Sequence, residues 1–167
     1  MFSLILGGSK SGKSDMGLSL LEKTAGSSCL VVTGKAMDFE FNEQIREHKL
    51  SRSLNIPVVE AAEDLGSCLR YLQDSADAVL VDSIDFWVFN IFARKHPQVY
   101  IDEFFRVLDL WRGKRLIFIS AEIGLGPVPA ADYVRRFSRL LGEINQRLAL
   151  LCNEVTLIVA GLPIRIK

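Results

Sequence analysis

Gly7-Gly8-Ser9-Lys10-Ser11-Gly12-Lys13-Ser14 fits the pattern G-x-x-x-x-G-K-[ST]. In such a loop, backbone N–H groups and the following helix N-terminus cradle phosphates. Lys13 reaches the outer phosphates, and the Ser14 hydroxyl is placed to hold Mg²⁺. The pattern is believable in context, because an apolar stretch precedes it and a helical pattern follows. It points to nucleotide binding and says nothing of the reaction. A second candidate is Asp82, which ends the apolar run Ala78-Val79-Leu80-Val81. An acid at the end of a buried strand could orient the metal beside the phosphate loop. The plainer alternative is that it caps the next helix.

These residues need elements to hold them. Phe2–Leu6, Cys29–Thr33, Pro57–Glu60, Ala78–Asp82, Lys114–Ser120 and Glu154–Ala160 read as short buried strands. Between them lie helical patterns: Lys13–Lys23, Asp38 to about Leu50, Glu63–Gln73, Ile84–Lys95, Ile101–Trp111 and Ala130–Cys152. Met16 and Leu20 share a face in the first of these. His96-Pro97 reads as a helix stop, and Gly124–Pro129 as a loop. Gly161 and Pro163 precede an extended tail, Ile164–Lys167. Strands alternating with helices imply parallel pairing through crossovers. Nearly all-apolar strands imply a sheet covered on both faces. The expected fold is α/β: a three-layer P-loop NTPase (RecA-like) domain with a mostly parallel central sheet and a C-terminal edge strand. No linker divides it, so residues 1–167 are expected to form a single domain.

Composition narrows the function classes. Apolar residues make up 49% of the 167, enough for a core without disulfide or metal staples. Basic and acidic residues balance at 20 each, which argues against holding nucleic acid by bulk charge. Cys29, Cys68 and Cys152 are scattered and lack metal-ligand spacing, as expected of small buried thiols in a reducing cytoplasm. The N-terminal apolar stretch is too short for a signal-peptide core, and no run approaches the ~20 residues that span a bilayer.

His48 sits in a charged stretch, with Arg52 one helical turn on if that helix continues. A lone histidine on a polar helix is usually only a solvated side chain, so spacing alone assigns it nothing.

Several segments together resemble one family, the bifunctional adenosylcobinamide kinase / adenosylcobinamide-phosphate guanylyltransferases of cobalamin nucleotide-loop assembly. They are the Gly7–Ser14 loop and Asp38-x-Glu40-Phe41-x-x-Gln44-Ile45-x-x-His48-x-x-x-Arg52. Next come Val81-Asp82-Ser83-Ile84 with Trp87 and Asn90, and Glu122-x-Gly124-x-Gly126-x-Val128-Pro129. Arg135-x-Phe137, Gly142-x-x-Asn145-Gln146-x-Leu148-Ala149 and Glu154 through Gly161 to Lys167 complete the set, in order along the whole chain.

The resemblance implies two reactions. The terminal phosphate of ATP or GTP passes to the aminopropanol hydroxyl of adenosylcobinamide, and GMP from GTP is then joined to that phosphate. The second reaction runs through a GMP–histidine intermediate, and His48 is the matching position. Arg52, beside Ser51, is suited to neutralising phosphate charge. Thr33, the backbone at Gly34 and Lys35, and Glu60 match positions near the guanine nucleotide. Glu60 and Asp82 each have more than one role open to them, as readers of guanine donors or of a ribose hydroxyl. A cytoplasmic homotrimer is implied as well. Asn145-Gln146 reads more simply as helix packing.

The chain departs from the family pattern at identifiable points. Ala121 stands where asparagine is usual, Asp85 where threonine is common, Ser138-Arg139 in place of Arg-Asp, and Ser53 in place of proline. These departures bear on acceptor choice and turnover more than on nucleotide binding. They keep two alternatives open: a small-molecule P-loop kinase with one reaction, and a nucleotide-binding regulatory paralogue without transfer activity.

Overall fold

The computed structural model describes residues 1–34, 56–112 and 115–167. The expected helix Asp38–Leu50, and with it His48, Lys35, Ser51 and Arg52, lies outside the described residues. The strands are β1 (Phe2–Gly7), β2 (Ser28–Val32), β3 (Val58–Glu60), β4 (Ala78–Asp82), β5 (Arg115–Ala121), β6 (Glu154–Val159) and β7 (Leu162–Arg165). The helices are α1 (Lys13–Glu22), α2 (Leu65–Leu72), α3 (Ile84–Phe92), α4 (Pro97–Leu110) and α5 (Asp132–Leu151).

All seven strands form one sheet in the order β3-β2-β4-β5-β1-β6-β7. Every neighbouring pair is parallel except β6 and β7. The carboxyl ends of β1 to β5 therefore share one edge of the sheet, where an open α/β sheet binds ligands. Alternate residues of each strand feed opposite cores. Leu4, Val31, Val79, Val81, Leu116 and Phe118 face α2, α3, α4 and α5. Ile5, Leu30, Leu80, Ile117 and Ile119 face the α1 side, where Leu21 is buried. These are the three layers of a P-loop NTPase fold.

Some boundaries differ from the sequence expectation for physical reasons. α2 begins at Leu65 because the Asp64 carboxylate caps it, accepting from the Ser67 N–H at 3.2 Å. α4 begins at Pro97 rather than Ile101; proline at the first helical position has the right φ and needs no N–H partner. The face of α1 that meets the sheet centres on Gly17 and Leu21, with Met16, Leu18 and Leu20 partly buried against the same core. A Cβ on Gly17 would lie 2.8 Å from Ile119 Cδ1, so the missing side chain sets how closely α1 approaches. The tail becomes the antiparallel strand β7, starting at Leu162. Pro163 is accommodated because β7 is the sheet edge.

α3 is anchored by Trp87, fully buried against Phe104 with ring centroids 4.8 Å apart. Its indole N–H, which burial would otherwise strand, donates to the Glu63 carbonyl at 2.7 Å. This helix carries the first residues after Asp82.

Candidate nucleotide site

The phosphate loop joins the end of β1 to the start of α1. Its curvature follows from two residues with positive φ, Lys10 at 53° and Gly12 at 97°. Gly12 occupies a conformation that a side chain disfavours. Gly7 is required for a different reason: a Cβ there would lie 2.6 Å from both the Ile158 carbonyl and Ser11 Oγ. Gly8 has open space around it.

Neighbouring turns hold the loop. The Ser11 N–H donates to the Gly8 carbonyl at 3.4 Å, and Gly161 in the β6–β7 turn donates to the Ser11 carbonyl at 3.0 Å. The Glu122 N–H, just past β5, donates to the Gly7 carbonyl at 3.2 Å. Ser9, Lys10 and Gly8 are exposed, while Ser11 is buried and its hydroxyl has no hydrogen-bond partner among the described residues. Lys13 and Ser14 open α1, whose N-terminal amides and dipole favour an anion.

Lys13 Nζ donates to the Gly8 carbonyl at 2.6 Å. Burial lowers its pKa, and the negative charges of Asp85 and Asp82 oppose that shift. Asp82 ends β4 and is buried. β5 runs between β4 and β1, so the Asp82 carboxylate and the phosphate loop lie across one intervening strand. The N-cap of α3 is Ser83, not Asp82, and the Asp82–Ser83 peptide is cis.

The other sequence candidates lie farther along the same edge. Thr33 and Gly34 follow β2, and Glu60 is exposed at the end of β3, paired in register with Val32. β3 is four strand positions from β1, about 19 Å at the usual strand spacing. Glu60 therefore belongs to a different part of the edge from Lys13. Thr33 is buried with its polar atoms engaged. Its N–H donates to the Asp82 carbonyl at 3.1 Å, and its hydroxyl donates to the Ser83 carbonyl at 2.6 Å.

Three residues of this edge escaped the sequence reading as participants. Asp85, in the first turn of α3, accepts from the Ala121 N–H at 3.1 Å. Asn90 donates through Nδ2 to the carbonyls of Thr33 at 2.7 Å and Ala62 at 3.0 Å, tying the ends of β2 and β3 to α3. Asn145 on α5 accepts from the Ser120 hydroxyl at 2.7 Å and donates to the Ala121 carbonyl at 3.0 Å. The sequence marks Asp85 only as a departure, standing where threonine is common. Both asparagines stand in segments that carry the family resemblance, and Asn145 reads from the sequence as helix packing.

Ser14 and Asp82 supply hard oxygens of the kind Mg²⁺ takes. Among the described residues no three His, Cys, Asp or Glu side chains converge. Most ligands of a cation here would therefore come from the nucleotide and water. Among the described residues no helix is long and apolar enough to cross a membrane.

Comparison with known proteins agrees with this geometry. The chain is 15% identical to the flagellar accessory protein FlaH of Methanocaldococcus jannaschii, with a TM-score of 0.58 over 99% of this chain and 77% of that one. That likeness concerns the fold alone. The bifunctional adenosylcobalamin biosynthesis protein CobP of Pseudomonas aeruginosa is 32% identical over 169 residues, covering 100% of this chain and 98% of that protein. CobU of Salmonella typhimurium, a bifunctional adenosylcobalamin biosynthesis protein, is 27% identical over 182 residues and the full length of both. The profile of the family described as cobinamide kinase / cobinamide phosphate guanyltransferase matches residues 3–166. A phosphate loop of this form, on this sheet, in a chain matched from end to end, makes the protein a member of the cobinamide kinase / cobinamide phosphate guanyltransferase family.

Proposed function

We propose that the chain performs both transfers of cobalamin nucleotide-loop assembly. In the first, the aminopropanol hydroxyl of adenosylcobinamide attacks the γ-phosphorus of ATP or GTP. The bond to the bridging oxygen breaks, the nucleoside diphosphate leaves, and the hydroxyl loses its proton. Lys13 and the amides of Gly8, Ser9, Lys10, Ser11 and Gly12 counter charge on the transferring group. Ser14 and Asp82 would hold Mg²⁺, which supplies further charge neutralisation when bound.

In the second transfer, a neutral His48 nitrogen attacks the α-phosphorus of GTP and pyrophosphate leaves. A phosphate oxygen of adenosylcobinamide phosphate then attacks the same phosphorus, the P–N bond breaks, and adenosylcobinamide-GDP forms. Splitting one displacement into two is the use of such a nucleophile. Arg52 and Ser51 act on the phosphates. Gly34, Lys35 and Glu60 face the guanine nucleotide, and Thr33 supports them. Cytoplasmic residence and a homotrimer belong to the same reading.

The observation that carries this is the family match over residues 3–166, joined to a phosphate loop whose Lys13 and Ser14 open a helix at the end of β1. The test is incubation with adenosylcobinamide, Mg²⁺ and either ATP or GTP, with corrinoid products separated and weighed. Both adenosylcobinamide phosphate and, with GTP, adenosylcobinamide-GDP are expected. Phosphate ester alone would reduce the protein to a single-reaction kinase. Nucleotide binding with neither product would make it a regulatory paralogue.

A further inference from the structure

The first transfer leaves one proton without a destination: the acceptor hydroxyl must lose it as its oxygen bonds to phosphorus. Asp82 ends β4, Asp85 lies in the first turn of α3, and Glu122 follows β5. Asp82 is buried and is the proposed Mg²⁺ ligand. Asp85 is tied to β5, accepting from the Ala121 N–H at 3.1 Å. Glu122 stands apart from both by its position.

The Glu122 N–H donates to the Gly7 carbonyl at 3.2 Å, so its backbone lies against the first glycine of the phosphate loop. Gly7 pairs with Ala121, and Val81 pairs with Phe118. Glu122 is thus three residues beyond the level of Asp82, about 10 Å at the usual strand rise. It stands where the loop leaves the sheet, on the side from which an acceptor reaches a γ-phosphate. Its carboxylate is also oriented. Oε1 accepts from the Gly124 N–H at 2.9 Å, and among the described residues no donor meets Oε2. Ala121, just before it, is fixed at both polar groups, its N–H by Asp85 and its carbonyl by Asn145 Nδ2. Glu122 is half-buried, close to the loop yet able to release a proton to water.

We propose that Glu122 is the general base of the phosphoryl transfer. As the hydroxyl oxygen bonds to the γ-phosphorus, its O–H bond breaks and the proton passes to Glu122 Oε2. The bond from the γ-phosphorus to the bridging oxygen breaks, and the nucleoside diphosphate leaves with that electron pair. A carboxylate takes the acceptor proton in the same way in protein kinases. The assignment rests on the two-transfer reading above, and that reading separates the reactions. The acceptor in the second transfer is an ionised phosphate oxygen with no proton to lose. Glu122 therefore serves the first transfer alone.

The test measures each transfer separately in native protein and in Glu122→Gln. ATP with adenosylcobinamide reports the first, and GTP with adenosylcobinamide phosphate reports the second. In the variant, the ratio of the first kcat to the second should drop by about 10²–10⁴, with the KM for ATP near native. Equal losses in both transfers, or an unchanged ratio, would overturn the proposal. Gly124→Ala is a second variant, which also serves if Glu122→Gln does not fold. A Cβ there would lie 2.9 Å from Glu122 Oε1, so the carboxylate must shift with its charge intact. The same ratio should fall by about 10–10², and an unchanged ratio would again overturn the proposal. Native protein that forms neither product would sink the two-transfer reading and the proposal with it, a failure visible before any variant is compared.

Discussion

Thr33 and Ser83 are joined twice: the Ser83 N–H donates to Thr33 Oγ1 at 3.0 Å, and the Thr33 hydroxyl donates to the Ser83 carbonyl at 2.6 Å. Both residues are buried. One side chain thereby satisfies both polar groups of the residue that follows Asp82, and locks the end of β4 to the end of β2. Thr33 is proposed as a nucleotide-site residue, and its geometry gives it a part that needs no contact with a nucleotide: its own N–H holds the Asp82 carbonyl at 3.1 Å. Thr33→Val keeps the shape and strands a buried N–H and carbonyl. It should cost about 2–3 kcal/mol, read as a lower urea midpoint, whereas Thr33→Ser should stay near native. A native-like midpoint for the valine variant would contradict the staple.

Gly7 and Gly8 stand side by side in the phosphate loop and should respond oppositely. A methyl on Gly7 meets the Ile158 carbonyl and Ser11 Oγ at 2.6 Å, and the β6 backbone can move aside only at a cost. Gly7→Ala should destabilise by about 1–3 kcal/mol and weaken nucleotide binding. Gly8→Ala meets nothing within 4 Å and should leave stability alone. Thermal melts of the two variants, with and without GTP, decide it.

Lys13 tests function apart from folding. Burial holds its pKa below the ordinary lysine value. A lysine depressed in the fold carries its penalty below the folded pKa and sheds it as pH rises through that value. Lys13→Met should therefore be at least as stable as native protein at neutral pH. Its phosphoryl transfer should fall by about 10²–10³. A variant that loses activity only by unfolding, seen in circular dichroism, would contradict this.

Alkali should weaken the protein through its thiols. Burial pushes Cys68 up to about 11 and Cys152 up to about 12, from 9.0. Both raised values lie above the unfolded one, so the stabilisation is complete below pH 9 and is lost as pH rises toward the folded values. With allowance for partial solvation, the loss by pH 11 should be about 2 kcal/mol. The paired variant Cys68→Ala, Cys152→Ala should show a flatter urea midpoint between neutral and alkaline pH, from a lower starting stability. An equally steep decline in that variant would assign the loss to other groups.

The order of strands and helices was legible because apolar runs and helical periods are local signals. So was the phosphate loop, where residue type, spacing and context coincide. What stayed hidden depends on contacts distant in the sequence. Gly17 sets the seat of α1 by lacking a side chain, which an apolar count passes over. Pro97 was legible as a stop and equally consistent with a start. Asp85 and Ala121 are 36 residues apart, and nothing in either segment announces their hydrogen bond. Thr33 was singled out in the sequence only through the family resemblance, and its bonds to Ser83 and Asn90 give it a backbone-holding part that only the folded chain displays.

The most direct test of the two-transfer account is labelling with GTP carrying a radioactive α-phosphate, with Mg²⁺, in native protein and in His48→Ala. The account predicts protein-bound label that is acid-labile and alkali-stable, as a phosphoramidate is, and that disappears in the variant. A folded native protein that binds GTP and takes no label would contradict it and remove His48 from the mechanism.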